Sequence, residues 1–166
     1  MLFYKHILSP VGRLTVVADS AALVAVLWPN ERPFRIKLDE LHEAPRHAVL
    51  REAARQLGEY FSGSRTAFDL PLRLQGTVFQ RRVWQELQRI PYGCMRSYGE
   101  LARAIGRASA SRAVGLANSR NPISIIVPCH RVIGASGNLT GFAGGLETKA
   151  KLLELESGRA TLALTS

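Results

Sequence analysis

Hydrophobic and polar positions divide the chain into two textures. Residues 2–8, 13–19 and 22–28 are short, β-branched and apolar runs, separated by Ser9-Pro10-Val11-Gly12 and by Asp19-Ser20. Runs of that length between turn residues predict a three-stranded antiparallel meander. From Pro45 the period becomes helical. Leu50, Ala53, Ala54, Leu57 and Phe61 fall on one face, and Gly63 stands just past the end. Residues 64–76 read as a connector with some extended character, and the chain shows no internal repeat or low-complexity tract.

The second half reads as helical. Thr77-Val78-Phe79-Gln80 has the form of a capping box, followed by Phe79, Val83, Leu87 and Ile90 at helical spacing until Pro91. Ser97-Tyr98-Gly99-Glu100 is a second box, opening a short helix through Leu101 and Ile105 to Gly106. A third helix is expected over Ala110 to Asn118, with Ser109 as its N-cap. Two short helices across so short a turn predict a helix-turn-helix. The third helix is rich in small residues (Ala110, Ala113, Gly115, Ala117), whereas a reader of major-groove edges would carry Asn, Gln and Arg. Small residues let the backbone approach something narrow, either a minor groove or a neighbouring helix. The fold class is therefore α+β. An N-terminal domain (1–75) holds a three-stranded antiparallel sheet with a helix, and an all-helical helix-turn-helix domain (76–166) follows it.

Charge changes this picture. The chain carries a formal charge of +9 with a pI near 10.4. Residues 1–75 hold ten Lys/Arg against eight Asp/Glu, while residues 76–166 hold twelve against five. The window from Arg96 to Arg120 has five arginines and one acidic residue. Such an excess suits a polyanion, because each phosphate neutralised releases counterions. The rest of the composition, 46% hydrophobic and 21% charged, is that of an ordinary globular chain. Two cysteines are too few for a disulfide scaffold, which points to a reducing compartment. No signal-peptide core or membrane-length apolar stretch appears, so the expectation is a cytoplasmic protein without a membrane partner.

The candidate chemistry lies after Asn121-Pro122. Ile123 to Val127 is a short apolar run that reads as a buried strand, followed by Pro128-Cys129-His130-Arg131-Val132. Pro128 restricts its own φ and the conformation of Val127, placing Cys129 at a stiff corner. A thiol there is either a small core residue or a nucleophile. His130 and Arg131 favour the second reading, because they interrupt the apolar run and positive charge favours thiolate. Neighbouring side chains of a regular strand point to opposite faces, so proton transfer from Cys129 to His130 needs a turn or a water relay. A histidine base also needs a partner to fix its tautomer. The last helix, about Glu147 to Ser157, offers Glu154 and Glu156, and spacing does not choose between them.

Ile126-Val127-Pro128-Cys129-His130-Arg131-Val132 resembles the active-site motif of the O6-alkylguanine-DNA alkyltransferases, the methylated-DNA–protein-cysteine methyltransferase family. The likeness extends through Pro91-Tyr92-Gly93, Ser97-Tyr98-Gly99, Ser111-Arg112-Ala113-Val114-Gly115, Asn121-Pro122 and Gly141 to Gly145. It covers most of residues 77–158 and fits the N-terminal half more loosely. It implies stoichiometric, irreversible transfer of an alkyl group, methyl in the simplest case, from O6-alkylguanine in DNA to Cys129 after base flipping. O4-alkylthymine is a further candidate substrate.

The same resemblance implies a monomer bound in the minor groove of double-stranded DNA, with cooperativity left open. Ser97, Tyr98, Arg112, Ala113 and Gly115 would contact DNA. Arg112 would fill the gap left by the extruded nucleotide, and Tyr98 would promote flipping and donate to the base. Asn121 would brace the active-site segment, Glu156 would orient His130, and Phe142 and Ala143 would line the substrate site. Phe142 departs from the family's usual tyrosine, removing a donor to the guanine O6. Backbone N–H groups around Ala143 and the Tyr98 hydroxyl would then carry leaving-group stabilisation.

No cofactor is implied. Some relatives hold a structural zinc, but residues 1–75 here contain no cysteine, and His6, His42 and His47 alone are a poor zinc set, so no metal is expected. Two other functions remain open on the residues: a non-catalytic helix-turn-helix regulator, which leaves the Pro-Cys-His-Arg corner without a role, and a cysteine hydrolase, whose signature is missing around Cys129.

Overall fold

The alternating N-terminal runs form a sheet whose edge carries the functional segment. The computed structural model describes residues 1–31, 36, 38–137 and 139–158. Strands β1 (Leu2–Ile7), β2 (Leu14–Ala18) and β3 (Leu23–Leu27) make the antiparallel meander, with Tyr4 opposite Val17 and Val16 opposite Val26. A fourth strand, β4 (Leu41–Glu43), adds to β1 in parallel, so the sheet is mixed with order β3-β2-β1-β4. Helix α1 (Ala48–Phe61) begins after Pro45, with the His47 ring nitrogen accepting from Val49 N–H at 3.2 Å. Its face of Leu50, Ala53, Leu57 and Tyr60 is fully buried.

The other edge of the sheet is not left open. Leu23 bridges to Leu72 of the connector, and Val26 bridges to Ile123. Val26 N–H donates to the Pro122 carbonyl at 2.9 Å. Pairing an edge strand satisfies backbone groups that would otherwise template association. Here it also docks the active-site segment onto the N-terminal sheet. One apolar core accordingly runs through both halves, from Leu14 and Leu57 to Trp84, Val127 and Leu152.

In the second half, both capping boxes form. Thr77 and Gln80 open α2 (Val78–Leu87), and Ser97 and Glu100 open α3 (Tyr98–Ala104). Trp84 Nε1 donates to the Ala117 carbonyl at 2.8 Å, tying α2 to α4 (Ser111–Ser119). Ser109 does not cap α4. The N-cap is Ala110, held by its N–H bond to the Arg107 carbonyl (2.8 Å), and no side chain caps the helix. Strands β5 (Arg96–Ser97) and β6 (Val132–Ile133) form a short parallel pair that ties the start of α3 to the end of the active-site segment. Helix α5 (Leu146–Glu156) closes the site from behind.

The run 123–127 is buried, but it is not a strand. Ile125 has φ +75°, and Val127 N–H turns back to the Ile123 carbonyl at 2.9 Å. It is the one non-glycine residue with positive φ among the described residues. For a β-branched side chain this conformation is strained, on the order of 1–3 kcal/mol. An apolar run five residues long fits a buried turn as well as a buried strand.

Candidate active site

Strain at Ile125 is followed by a second tight turn. Pro128 has φ −81° and ψ 65°, and Cys129 N–H donates to the Val127 carbonyl at 2.8 Å. Those values are an inverse γ-turn centred on Pro128. Residues Cys129–Arg131 then form a single 3₁₀ turn. The corner is braced from α4 and the loop after it. Asn121 Nδ2 donates to the Val127 carbonyl (2.7 Å) while its Oδ1 accepts from Ile123 N–H (3.0 Å). Asn118 Nδ2 reaches the Cys129 carbonyl at 3.4 Å. Cys129 is 3% exposed, so the thiol sits behind the protein surface and at a fixed corner.

His130 and Arg131 interrupt the apolar run because both are buried against one carboxylate. Glu156 Oε2 accepts from His130 Nε2 at 2.6 Å and from Arg131 Nη2 at 3.1 Å, and its Oε1 accepts from Arg131 Nε at 2.7 Å. Arg131 Nη1 donates to the Ile90 carbonyl at 2.7 Å, and its guanidinium lies over the Tyr92 ring at 5.7 Å. Burial alone would raise the Glu156 carboxyl, but the hydrogen bonds and charges of His130 and Arg131 outweigh it and hold it at about 2. Glu154, the other acid of the last turn of this helix, is exposed.

Burial pushes His130 below its ordinary value, against the opposing pull of Glu156. The ring is therefore neutral at pH 7. Glu156 can only accept, so Nε2 carries the hydrogen, and Nδ1 is left with a lone pair. Nδ1 is buried and has no hydrogen-bond partner among the described residues. The basic nitrogen is thus Nδ1.

Lys149 completes the electrostatics. It is fully buried on α5, and its Nζ donates to the carbonyls of Val132 (2.5 Å) and Thr140 (3.3 Å). Burial lowers its pKa, and the nearby charge of Cys129 partly restores it. Arg131 and Lys149 bring two positive charges to a pocket in which Glu156 brings one negative. That excess of positive charge favours a thiolate over a neutral thiol at Cys129.

The helix pair α3–α4 flanks this corner. Arg112 and Ala113 are exposed, as is Leu116 one turn further on. Gly115 faces inward instead: a Cβ there would meet the Tyr98 ring at 3.7 Å, an ordinary contact. Ser97 is half-buried, with its hydroxyl committed to the Glu100 N–H. The Tyr98 hydroxyl shares a 2.6 Å hydrogen bond with Thr140 Oγ1. Phe142 and Ala143, both half-buried, lie in the loop before α5. The Phe142 ring meets Trp28 edge-on, with centroids 5.4 Å apart and planes at 69°.

Four residues around the site lie outside the sequence expectation. Trp28 comes from the end of β3 and supports the Phe142 loop, with its Nε1 donating to Ser124 Oγ at 3.2 Å. Tyr60 comes from α1, and its hydroxyl donates to Glu156 Oε2 at 2.6 Å. Asn118 and Lys149 are the others. Of the three histidines considered for zinc, His47 caps α1 and, like His42, packs against the Phe3 ring (5.1 and 6.4 Å), while His6 Nδ1 lies 2.8 Å from Thr15 Oγ1.

Chemically, the site is a buried thiol next to a buried imidazole with one unpartnered nitrogen, built into an α+β fold whose two halves both supply parts. Two family models divide the same chain. Residues 2–74 match the ribonuclease-like domain of 6-O-methylguanine DNA methyltransferase, and residues 78–158 match its DNA-binding domain. The chain belongs to the methylated-DNA–protein-cysteine methyltransferase family. It is 50% identical to the Mycobacterium tuberculosis member over 167 aligned positions, covering 99% of this chain and 98% of that one. It is 48% identical to the Methanosarcina acetivorans member, covering 93% and 98%. The crystal structure of Mycobacterium tuberculosis OGT in complex with DNA is similar at a TM-score of 0.88 and 49% identity, covering 95% of this chain and 94% of that one.

Proposed function

We propose that this protein repairs alkylated double-stranded DNA by moving the alkyl group from the O6 of guanine onto Cys129, once per molecule. It acts as a monomer in the cytoplasm, where its two cysteines stay reduced. Residues 1–75 serve as the supporting domain, and residues 76–166 carry DNA binding and chemistry. Helix α4 enters the minor groove, Arg112 occupies the space of the extruded nucleotide, and Ala113 keeps the contact surface beside it low. The damaged base must leave the stack, because a buried thiol reaches its substituent no other way.

The proton of Cys129 passes through a bridging water to Nδ1 of His130, while Glu156 holds the ring from the far side. The sulfur then attacks the alkyl carbon. A C–S bond forms, the C–O6 bond breaks, and guanine departs with the electron pair, aided by donation from Tyr98 and the backbone near Ala143. To donate, the Tyr98 hydroxyl exchanges its Thr140 partner for the base. The product is a thioether. It has no carbonyl for water to attack, so the reaction stops at one turnover.

The uncommitted, buried Nδ1 of His130 beside the Cys129 corner is the observation that carries this reading. Incubation with a duplex containing O6-methylguanine tests it by intact and peptide mass. One methyl group on the Cys129 peptide, saturating at one per protein, is expected. Tight DNA binding without an adduct would make the protein a regulator, and product exceeding one equivalent would make it a turnover catalyst.

A further inference from the structure

Tyr60 belongs to the N-terminal helix, far in sequence from the active-site motif, yet its hydroxyl ends on the same carboxylate oxygen as the His130 ring. Both donors stand 2.6 Å from Glu156 Oε2. We infer that Tyr60 is a positioning residue for the base: by sharing Oε2 with His130, its hydroxyl limits how strongly Glu156 can stabilise a proton on the imidazole. The inference rests on the reading of His130 as the base.

The ring of Tyr60 is fixed independently of its hydroxyl. It packs edge-on against Phe61 (5.3 Å, 75°) and Tyr92 (6.3 Å, 83°) and lies tilted against Phe68 (5.5 Å). Phenylalanine would satisfy all three contacts, so the packing does not call for an oxygen. Burial first, and then the Glu156 charge, keep the phenol well above its ordinary ionisation range, so it remains a donor. A hydroxyl donating to a carboxylate is a charge-assisted bond, and each strong donor withdraws charge from the others on that oxygen.

The groups around His130 show why that withdrawal matters. Glu156 and Lys149 act on it from α5 and Arg131 from its own turn, beside Cys129, while Tyr60 of α1 acts through Glu156 and Tyr92 of the loop before β5 lies under Arg131. Arg131 and Lys149 oppose a positive imidazole, and Glu156 favours one. Tyr60 adjusts the favourable member without adding a charge of its own. An imidazole that took its proton too readily would be protonated before the thiol could use it. The Tyr60 hydroxyl keeps Nδ1 available near neutral pH.

The test is an NMR titration of the His130 ring in the protein without DNA, which reads the midpoint whether or not alkyl transfer occurs. Tyr60→Phe should raise that midpoint by roughly one pH unit, the equivalent of one net hydrogen bond. The acid limb of the single-turnover transfer rate should move up with it. Phe68→Leu, which loosens the same aromatic cluster and removes no donor, should lower the melting temperature and leave the midpoint in place. Site-specific 3-fluorotyrosine at Tyr60 preserves the packing and strengthens the donor, so it should lower the midpoint. An unmoved or lowered midpoint in Tyr60→Phe, equal shifts in Tyr60→Phe and Phe68→Leu, or no effect of the fluorine would overturn the inference. A wild-type protein that takes no methyl group would instead overturn the proposed function, with the titration still readable.

Discussion

Trp28 and Gly144 are in contact so close that no side chain fits between them. A Cβ on Gly144 would lie 2.9 Å from three atoms of the Trp28 indole. Gly144 does not have a left-handed φ, so contact and not backbone conformation excludes a side chain there. The indole is itself anchored, by its Nε1 bond to Ser124 and by burial at 5% exposure. Gly144→Ala should therefore push the loop carrying Phe142 and Ala143 off its support, costing about 1–3 kcal/mol and slowing transfer. Urea unfolding and single-turnover rates measure the two effects. In a Trp28→Phe background the stability cost of Gly144→Ala should shrink by at least about 0.5 kcal/mol, and strict additivity would show that the strain lies elsewhere.

Phe142 gives a second prediction from the same contact. Its ring stays against Trp28 whether or not it carries a hydroxyl, so Phe142→Tyr adds a donor at the site without rebuilding the wall. The transfer rate should be unchanged or higher, by up to about tenfold, the scale of one net hydrogen bond. A large fall, measured by rapid-quench single-turnover assay, would refute the assignment of leaving-group stabilisation to Tyr98 and the backbone.

Stability should fall with acid in two windows. His130 is depressed in the folded protein, so as the pH drops below its ordinary value of 6.5 the unfolded chain takes up the proton first and folding weakens. Glu156 is held at about 2 against an ordinary 4.5, so its contribution is complete above 4.5 and is lost as the pH falls toward 2. That second window is worth up to about 3 kcal/mol. Urea midpoints measured from pH 8 to pH 3 should show both declines. His130→Gln should abolish the upper one and shrink the lower, because Glu156 keeps Arg131 but loses the imidazole; persistence of the upper decline would assign it to another group.

These expectations draw on parts of the structure that were unequally legible in the sequence. The Thr77 and Ser97 capping boxes depend on residues three apart, and both form as read. Ser109 offered a similar local signal, but the turn ending at Ala110 takes the capping position. Strand β4 is three residues long and pairs with β1 across more than thirty positions, so local pattern could not announce it. Ile123 to Val127 showed burial correctly and conformation wrongly, since an apolar run does not encode the left-handed turn at Ile125. Lys149, Leu152 and Glu156 lie at i, i+3 and i+7 on α5, all buried. That stripe is visible in the sequence as two charges sharing an apolar face. Trp28 and Tyr60 carried no such mark, because their partners are 96 residues away in each case.

That separation bears on how such a protein can be inherited in pieces. The bond between Val26 and Pro122 splices the sheet edge to the reactive corner, and Trp28 and Tyr60 follow from the same half. A chimera joining residues 76–158 to a foreign amino-terminal half would keep the motif and the arginine-bearing helix. It would still lack a seat for the loop at Gly144 and a phenol at Glu156, unless the donor half brought both aromatics in register. The two halves are thus a single unit of exchange, and recombination between relatives at their junction is constrained by two buried aromatic residues of the amino-terminal half.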